Sequence, residues 1–151
     1  MRIFAICNEI INRSIKESKP ITALKLQKII YFIYGYGLAK YNKFLFNANF
    51  KAWKYGPVEE TVYHEFKSYG GEDITSFAKD AKGYSYFPNW GLSENIELHE
   101  IINTVWNKYK NHTGDKLVDL THQEGSAWKK TKSNEIIEIK NIKVDVLKGL
   151  Y

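Results

Sequence analysis

Residues 21–39, which read ITALKLQKIIYFIYGYGLA, decide the fold. Thr22 is a favourable N-cap residue, so a helix is expected to begin there. Four apolar residues then recur at the i, i+3, i+4 and i+7 spacing of one helical face, namely Leu26, Ile29, Ile30 and Ile33. Beyond Ile29 the stretch is apolar almost all round, which predicts a central helix inside a bundle. Gly35 and Gly37 would let neighbouring elements approach it closely.

Helical patterns also occur on both sides of this central helix. A first helix is predicted over about residues 3–17, a long helix is expected to begin where Ser93 can cap it, and a shorter helix is predicted over residues 115–122. Gly56 followed by Pro57 is typical of a turn with proline at the first position of a new helix. These patterns predict a mainly α fold.

Aromatic residues are densest just after the start of the central helix. Ten of the 25 positions from Tyr31 to Tyr55 are aromatic, which marks the heaviest part of the core. Within this region, residues 44–53 fit either a short strand or an extended connection packed on the central helix. The sequence pattern leaves both alternatives open.

The second half of the chain contains less regular segments. Residues 72–89 are predicted to form a loop with room for one short helix. The sequence Ile137-Glu138-Ile139 alternates as a short strand would, before an amphipathic segment that ends at Leu150. We therefore expect a single compact domain over residues 1–151, mainly helical, with a buried central helix and one or two short β-strands.

Composition fits one globular domain in a reducing compartment. Of 151 residues, 44% are apolar and 26% charged, which is ordinary globular usage. The one cysteine, Cys7, excludes an intramolecular disulfide. Asn8 and Glu9 stand where a secretory segment would be apolar, and the longest apolar run, residues 29–39, is shorter than the roughly 20 residues of a membrane-spanning helix. We expect a cytoplasmic protein with no membrane contact.

The sequence favours no catalytic, metal or cofactor site. The histidines lack metal-binding spacing, and the glycines form no phosphate-binding motif. His122 with Glu124 is conceivable as a general base, but neighbouring residues on a helix do not face each other. Cys7 lies on the apolar face of the first helix, where a cysteine usually acts as a small hydrophobe. We expect no enzyme, no cofactor and no metal.

The net charge of +5 leaves several kinds of acidic partner open. Lys51 and Lys54 flank Trp53, and two lysines follow Trp128, so aromatic stacking on nucleic acid is conceivable. However, the lysines alternate with acidic residues, whereas nucleic-acid binders usually cluster their basic residues on one surface. A solvated face is the favoured interpretation of these lysines.

Three segments together resemble one family. LKLQKIIYF at residues 24–32 resembles the LKLQKLLYF signature of the SocA-like, Panacea-domain antitoxins, a family that includes phage-associated proteins. AWKYGPV at residues 52–58 is similar to its AWxYGPV signature, and THQEGSAW at residues 121–128 is similar to its THxExxPW signature. The clearest departure is Ala127, where the family usually has proline. Without that proline the backbone of the local turn is less restricted.

The resemblance implies a mostly helical, non-catalytic protein that neutralises a cognate toxin, normally encoded by an adjacent gene. Neutralisation by direct binding and delivery of the toxin to a protease are both compatible with it. A phage- or host-encoded nucleic-acid-associated regulator, using the excess of basic residues, is the alternative. A patch containing Tyr55, Pro57, His122 and Trp128 is expected to contact the toxin, although packing alone also explains these aromatic residues. The full set of candidate partner-binding residues is Gln27, Lys28, Trp53, Tyr55, Gly56, Pro57, Thr121, His122 and Trp128.

Overall fold

The central helix is the element around which the others are arranged. The computed structural model describes residues 2–151, in which α2 contacts all five other helices and the second strand. In chain order the elements are α1 (Arg2–Lys16), α2 (Ala23–Tyr41), β1 (Phe50–Trp53), β2 (Gly56–Glu59), α3 (Glu60–Phe66), α4 (Ile96–Tyr109), α5 (Gly114–Thr121) and α6 (Ile139–Leu147). The predicted mainly α fold with a buried central helix is therefore confirmed.

The start of α2 and its burial agree with the sequence pattern. The Thr22 side chain accepts a hydrogen bond from the backbone N–H of Lys25, as an N-cap does. Tyr31 and Phe32 are fully buried in the middle of the helix and contact aromatic rings of β1, α4 and the C-terminus. Gly35 and Gly37 allow close contact as predicted, because a Cβ on either would meet a neighbouring side chain at 3.0 Å or less.

The two strands form an antiparallel hairpin that packs on α2. Trp53 pairs with Gly56 and Ala52 with Pro57, so Lys54 and Tyr55 form the turn. The prediction that Pro57 starts a helix is wrong. Proline is compatible with a strand that pairs on one side only, and α3 begins three residues later at Glu60, where the Glu59 side chain caps it. Residues 44–49 are an irregular connection, and only residues 50–53 are strand.

Residues 134–137 lie along the other side of β1. The backbone N–H of Ile137 donates to the Phe50 carbonyl at 2.8 Å, and the N–H of Asn134 donates to the Ala52 carbonyl at 2.8 Å. The predicted strand at Ile137-Glu138-Ile139 is therefore wrong in position. Its bridge to β1 is at Ile136, and Ile139 already belongs to α6.

The other predicted helices are present with shifted ends. α1 and α5 agree with the predictions to within one residue at each end, but Ser93 does not begin α4. A 3-10 turn covers residues 93–95, and α4 starts at Ile96. The loop over residues 72–89 is present and contains no helix. Asn8 of α1 holds it by hydrogen bonds to the backbone of Ala78 and Tyr86.

Ala127, which stands where the family signature usually has proline, makes a specific backbone contact. Its side chain is fully buried, and its backbone N–H donates to the Asp145 carboxylate of α6 at 2.7 Å. The same carboxylate oxygen accepts a hydrogen bond from the Tyr151 hydroxyl at 2.6 Å. A proline at position 127 has no N–H to donate, so alanine permits a contact that the usual residue forbids.

We predict that Ala127→Pro destabilises the fold by about 1.5–3 kcal/mol, because the buried Asp145 carboxylate loses a hydrogen-bond donor. Urea unfolding measures the change. In an Asp145→Ala background the same substitution should have a much smaller effect, since the acceptor is already gone. Equal losses in the two backgrounds would show that the hydrogen bond is not the cause.

Candidate functional site

The three sequence segments that suggested a family meet in space at Gly56. Lys28 comes from α2, Gly56 from the end of the hairpin turn, and Thr121 from the last residue of α5. A Cβ placed on Gly56 would lie 2.7 Å from Lys28 Cε and 2.7 Å from Thr121 Oγ1. Gly56 also has a φ of +103°, which side-chain-bearing residues rarely adopt. Only glycine satisfies both constraints at this position.

Lys28 and Gln27 join α2 to the hairpin. The Lys28 ammonium donates to the Pro57 carbonyl at 3.1 Å. The Gln27 amide makes two hydrogen bonds of 3.0 Å with the backbone of Glu59, one to its carbonyl and one from its N–H. Both side chains are buried because β2 covers that side of α2. They connect the end of β2 to the central helix.

The third segment is a compact turn that follows α5. The Thr121 hydroxyl donates to the Val118 carbonyl at 2.8 Å and so closes the last helical turn. The Ser126 hydroxyl donates to the Thr121 carbonyl at 2.7 Å. These bonds order the turn despite the missing proline, and they bring His122 and Trp128 together. The two rings stack with centroids 3.7 Å apart and planes 11° apart.

An aromatic surface extends from this turn across the hairpin. The Trp128 indole donates to the Trp53 carbonyl at 2.8 Å, and the Trp53 indole donates to the Asn134 side chain at 3.1 Å. Trp53 also contacts Tyr63 of α3 edge to face at 5.0 Å. We call Trp53, Tyr55, Tyr63, His122 and Trp128 the aromatic surface. Tyr55 and Tyr63 are 59% and 41% exposed, whereas His122, Trp53 and Trp128 are half-buried.

A groove lies beside this surface, between the start of α2, the hairpin turn and α3. Its volume is about 320 Å³. Ala23, Leu24, Val58, Val62 and Phe66 give it an apolar lining. Three lysines also line it, Lys28, Lys54 and Lys67, and none of its lining residues in the described chain is acidic. We call this concavity the Lys28 groove.

Burial changes the protonation of the basic groups here. It lowers the pKa of Lys28 to about 7, because the fully buried ammonium is poorly solvated. Burial also lowers the pKa of His122, with smaller contributions from the charges of Lys28 and Lys129. The His122 imidazole is therefore neutral at pH 7. Its Nε2 atom is buried without a hydrogen-bond partner within residues 2–151.

The geometry offers little for catalysis or metal binding. His122 stacks on Trp128, and Glu124, its suggested partner, is exposed and pairs with Lys129. Cys7 is fully buried, and this burial raises the pKa of its thiol far above the ordinary value. Among residues 2–151, no cluster of three or more histidine, cysteine or acidic side chains is suited to a metal ion. No helix of the described chain has the length and apolar character needed to span a membrane.

Comparisons with known proteins identify the family. The family model described as "Antitoxin SocA-like, Panacea domain" matches residues 26–129. This chain belongs to the SocA-like Panacea-domain family. It is also similar to a protein named Antitoxin SocA from Caulobacter vibrioides (strain NA1000 / CB15N), with 32% identity over 127 residues. That alignment covers 82% of this chain and 66% of the relative. No solved structure matches the chain significantly.

The Panacea domain brings all nine candidate residues to one side of α2, in two classes. Gln27, Lys28, Gly56, Pro57 and Thr121 are buried and join the three segments. Trp53, Tyr55, His122 and Trp128 form the partly exposed class. Tyr63 belongs with them but was missed. The sequence pattern could have indicated Tyr63, because it is an aromatic residue on the outer face of α3, whose inner face is formed by Val62 and Phe66.

Lys28 should give the Panacea domain an unusual pH dependence of stability. Its folded pKa of about 7 lies below the unfolded value of roughly 10.4, so the unfolded chain binds more protons between these limits. The contribution of Lys28 to the free energy of unfolding therefore becomes more favourable as the pH rises through that window. The free energy of unfolding of the wild type should rise relative to that of Lys28→Met between pH 7 and pH 10, by at most about 1.4 kcal/mol per pH unit.

Urea unfolding at pH 7, 8, 9 and 10 measures this difference. Lys54→Met is the control, because Lys54 is exposed in the hairpin turn. It should leave the pH profile of the wild type unchanged. Parallel profiles for Lys28→Met and the wild type would contradict the proposed charge state of Lys28.

Proposed function

We propose that this Panacea domain is an antitoxin that neutralises a cognate toxin by binding it directly with the aromatic surface. The main support for this proposal is the arrangement of four aromatic residues on one face, namely Trp53, Tyr55, Tyr63 and Trp128. They are partly exposed large aromatic side chains, and all but Tyr55 are held in place by their neighbours. The similarity to a relative named Antitoxin SocA supports the antitoxin role.

The aromatic surface has the properties of an interface hot spot. Tryptophan and tyrosine are enriched among the residues that contribute most to binding between proteins. Here the indole N–H groups of Trp53 and Trp128 already have acceptors within the chain, so the rings are fixed before a partner arrives. Because fewer side-chain rotations are lost on binding, a pre-ordered surface binds more tightly than a flexible one of equal area.

Lysines around this surface suit an acidic partner. Lys54 lies in the hairpin turn beside Tyr55, Lys67 follows α3, and Lys129 follows Trp128. Exposed charges at the edge of an interface mainly accelerate association and reject wrong partners. We infer a toxin with an acidic contact surface, encoded beside this gene and met in the cytoplasm. Neutralisation by binding requires no catalytic group and no cofactor.

We predict that the double variant Tyr55→Ala/Trp128→Ala abolishes growth rescue and weakens binding to the toxin by at least about 30-fold, since hot-spot truncations cost about 2 kcal/mol or more. The test is to express the product of the adjacent gene in a bacterial host with each variant, and to measure the affinity of the purified pair. Circular dichroism establishes that the variant is folded.

Tyr84→Ala/Trp90→Ala is the matched control. It removes one exposed tyrosine and one half-buried tryptophan from the region between α3 and α4 and should rescue growth as the wild type does. Full rescue by Tyr55→Ala/Trp128→Ala would rule out the aromatic surface as the contact.

Other outcomes of the same experiment separate the alternatives. Rescue without a stable complex, lost when a host protease is deleted, would replace neutralisation by binding with delivery for degradation. An adjacent product that is neither toxic nor bound would contradict the antitoxin proposal. DNA or RNA binding that falls steeply with salt would then favour the nucleic-acid-associated regulator.

A further inference from the structure

The Lys28 groove combines an apolar lining with a buried amine that has no acidic partner. Lys28 is fully buried, and within residues 2–151 its ammonium makes one hydrogen bond, to the Pro57 carbonyl. An ammonium has three N–H donors, so two remain for another acceptor. A buried charge normally persists only when it is paired, because removal from water is costly. Lys28 therefore differs from the chain's surface lysines, such as Lys51, which pairs with Glu60.

The residues around the groove leave this charge uncompensated. Gln27 is the other buried polar residue on the α2 side, and its amide is occupied by Glu59. The Glu59 carboxylate does not line the groove and caps α3 at Val62. Lys54 and Lys67 add positive charge to the groove lining. The groove is thus complementary to a group that is both apolar and negatively charged.

We propose that the Lys28 groove receives a segment of the toxin in which an apolar side chain stands next to an aspartate or glutamate whose carboxylate pairs with Lys28. This inference rests on the proposed function and adds the chemistry of the partner. The apolar side chain contacts Val58, Val62 and Phe66. The carboxylate accepts from the Lys28 ammonium, which retains its bond to the Pro57 carbonyl.

Continuity with the aromatic surface favours a protein segment as the occupant. Trp53, Tyr55 and Tyr63 belong to the aromatic surface and also line the groove. A toxin covering these rings therefore lies directly over the opening. Docking of one side chain into a pocket beside aromatic anchors is the usual arrangement of an interface hot spot. The buried lysine then selects among partners, because an uncharged segment would leave its ammonium unpaired.

A pair of small probes tests the groove without the toxin. 3-Phenylpropanoate joins an aromatic ring to a carboxylate, and 3-phenylpropanamide has nearly the same shape without the charge. Titration into the ¹⁵N-labelled full chain at pH 7 should move the backbone amide signals of Gly56, Val58 and Val62. The carboxylate should bind at least about tenfold more tightly than the amide, because a charged hydrogen bond contributes more than a neutral one.

Two variants test whether Lys28 causes the preference for the carboxylate probe. In Lys28→Met the two probes should bind equally, whereas Lys67→Met, which removes a lysine exposed at the groove, should keep most of the preference. Equal binding of the two probes to the wild type would overturn the inference. Retention of the preference in Lys28→Met would overturn it as well, because the charge would then come from the edge of the groove.

The toxin complex gives a second test, which measures the protonation of Lys28. Pairing with a carboxylate raises the pKa of Lys28 from about 7, so complex formation at pH 8 should take up close to one proton. Calorimetry in two buffers of different ionisation enthalpy measures this uptake. The Lys28→Met complex corrects for Tyr55, Tyr63, Lys54, Lys67 and His122, which also face this region. Absence of Lys28-dependent uptake would overturn the inference.

The affinities distinguish failure of this inference from failure of the proposed function. Lys28→Met should weaken toxin binding by about 30-fold or more, since removal of one partner of a buried charge pair is strongly unfavourable. A toxin complex that Lys28→Met leaves unchanged would overturn the groove inference while the antitoxin proposal stands. If no complex forms at all, the proposed function fails, and the two probes still decide whether the groove prefers a carboxylate.

Discussion

The close packing of Gly56 between Lys28 and Thr121 is the constraint on which the functional face depends. A side chain at this position would overlap both neighbours, and the positive φ already disfavours any residue but glycine. Since the three residues come from α2, the hairpin and α5, this contact fixes the relative positions of three segments that are far apart in the chain. The hairpin turn and the turn after α5 are brought side by side as a result.

The signature segments contain two kinds of residue with different roles. Gln27, Pro57 and Thr121 are engaged in internal hydrogen bonds, so their contribution is to hold the framework. The aromatic residues carried by that framework keep part of their surface exposed. Lys28 is a framework residue with one further property. It joins α2 to β2 at Pro57, yet its desolvated charge reduces stability at neutral pH, which is a reason to look for a role in binding.

Local patterns predicted the helices well and long-range contacts poorly. The start of α2 at Thr22 could be predicted because an N-cap is a local interaction, and the burial of α2 followed from its apolar composition. Gly56-Pro57 was misassigned because the same dipeptide suits a helix start and an edge strand. The choice between them depends on pairing with Ala52 and on contacts with Lys28 and Thr121, and the last two residues are distant in the chain. The Lys28 groove was unpredictable for the same reason, since three separate elements line it.

A comparison of Gly56→Ala with Gly125→Ala by urea unfolding tests directly whether the close packing at Gly56 holds the three segments together. Both glycines have positive φ, at +103° and +77°, but a Cβ on Gly125 would meet nothing within 4 Å. Both variants therefore incur backbone strain, and only Gly56→Ala also overlaps Lys28 and Thr121. Gly56→Ala should therefore lose about 1–3 kcal/mol more stability than Gly125→Ala, which is the usual magnitude of overpacking. Equal losses would contradict the claim that this contact holds the three segments together.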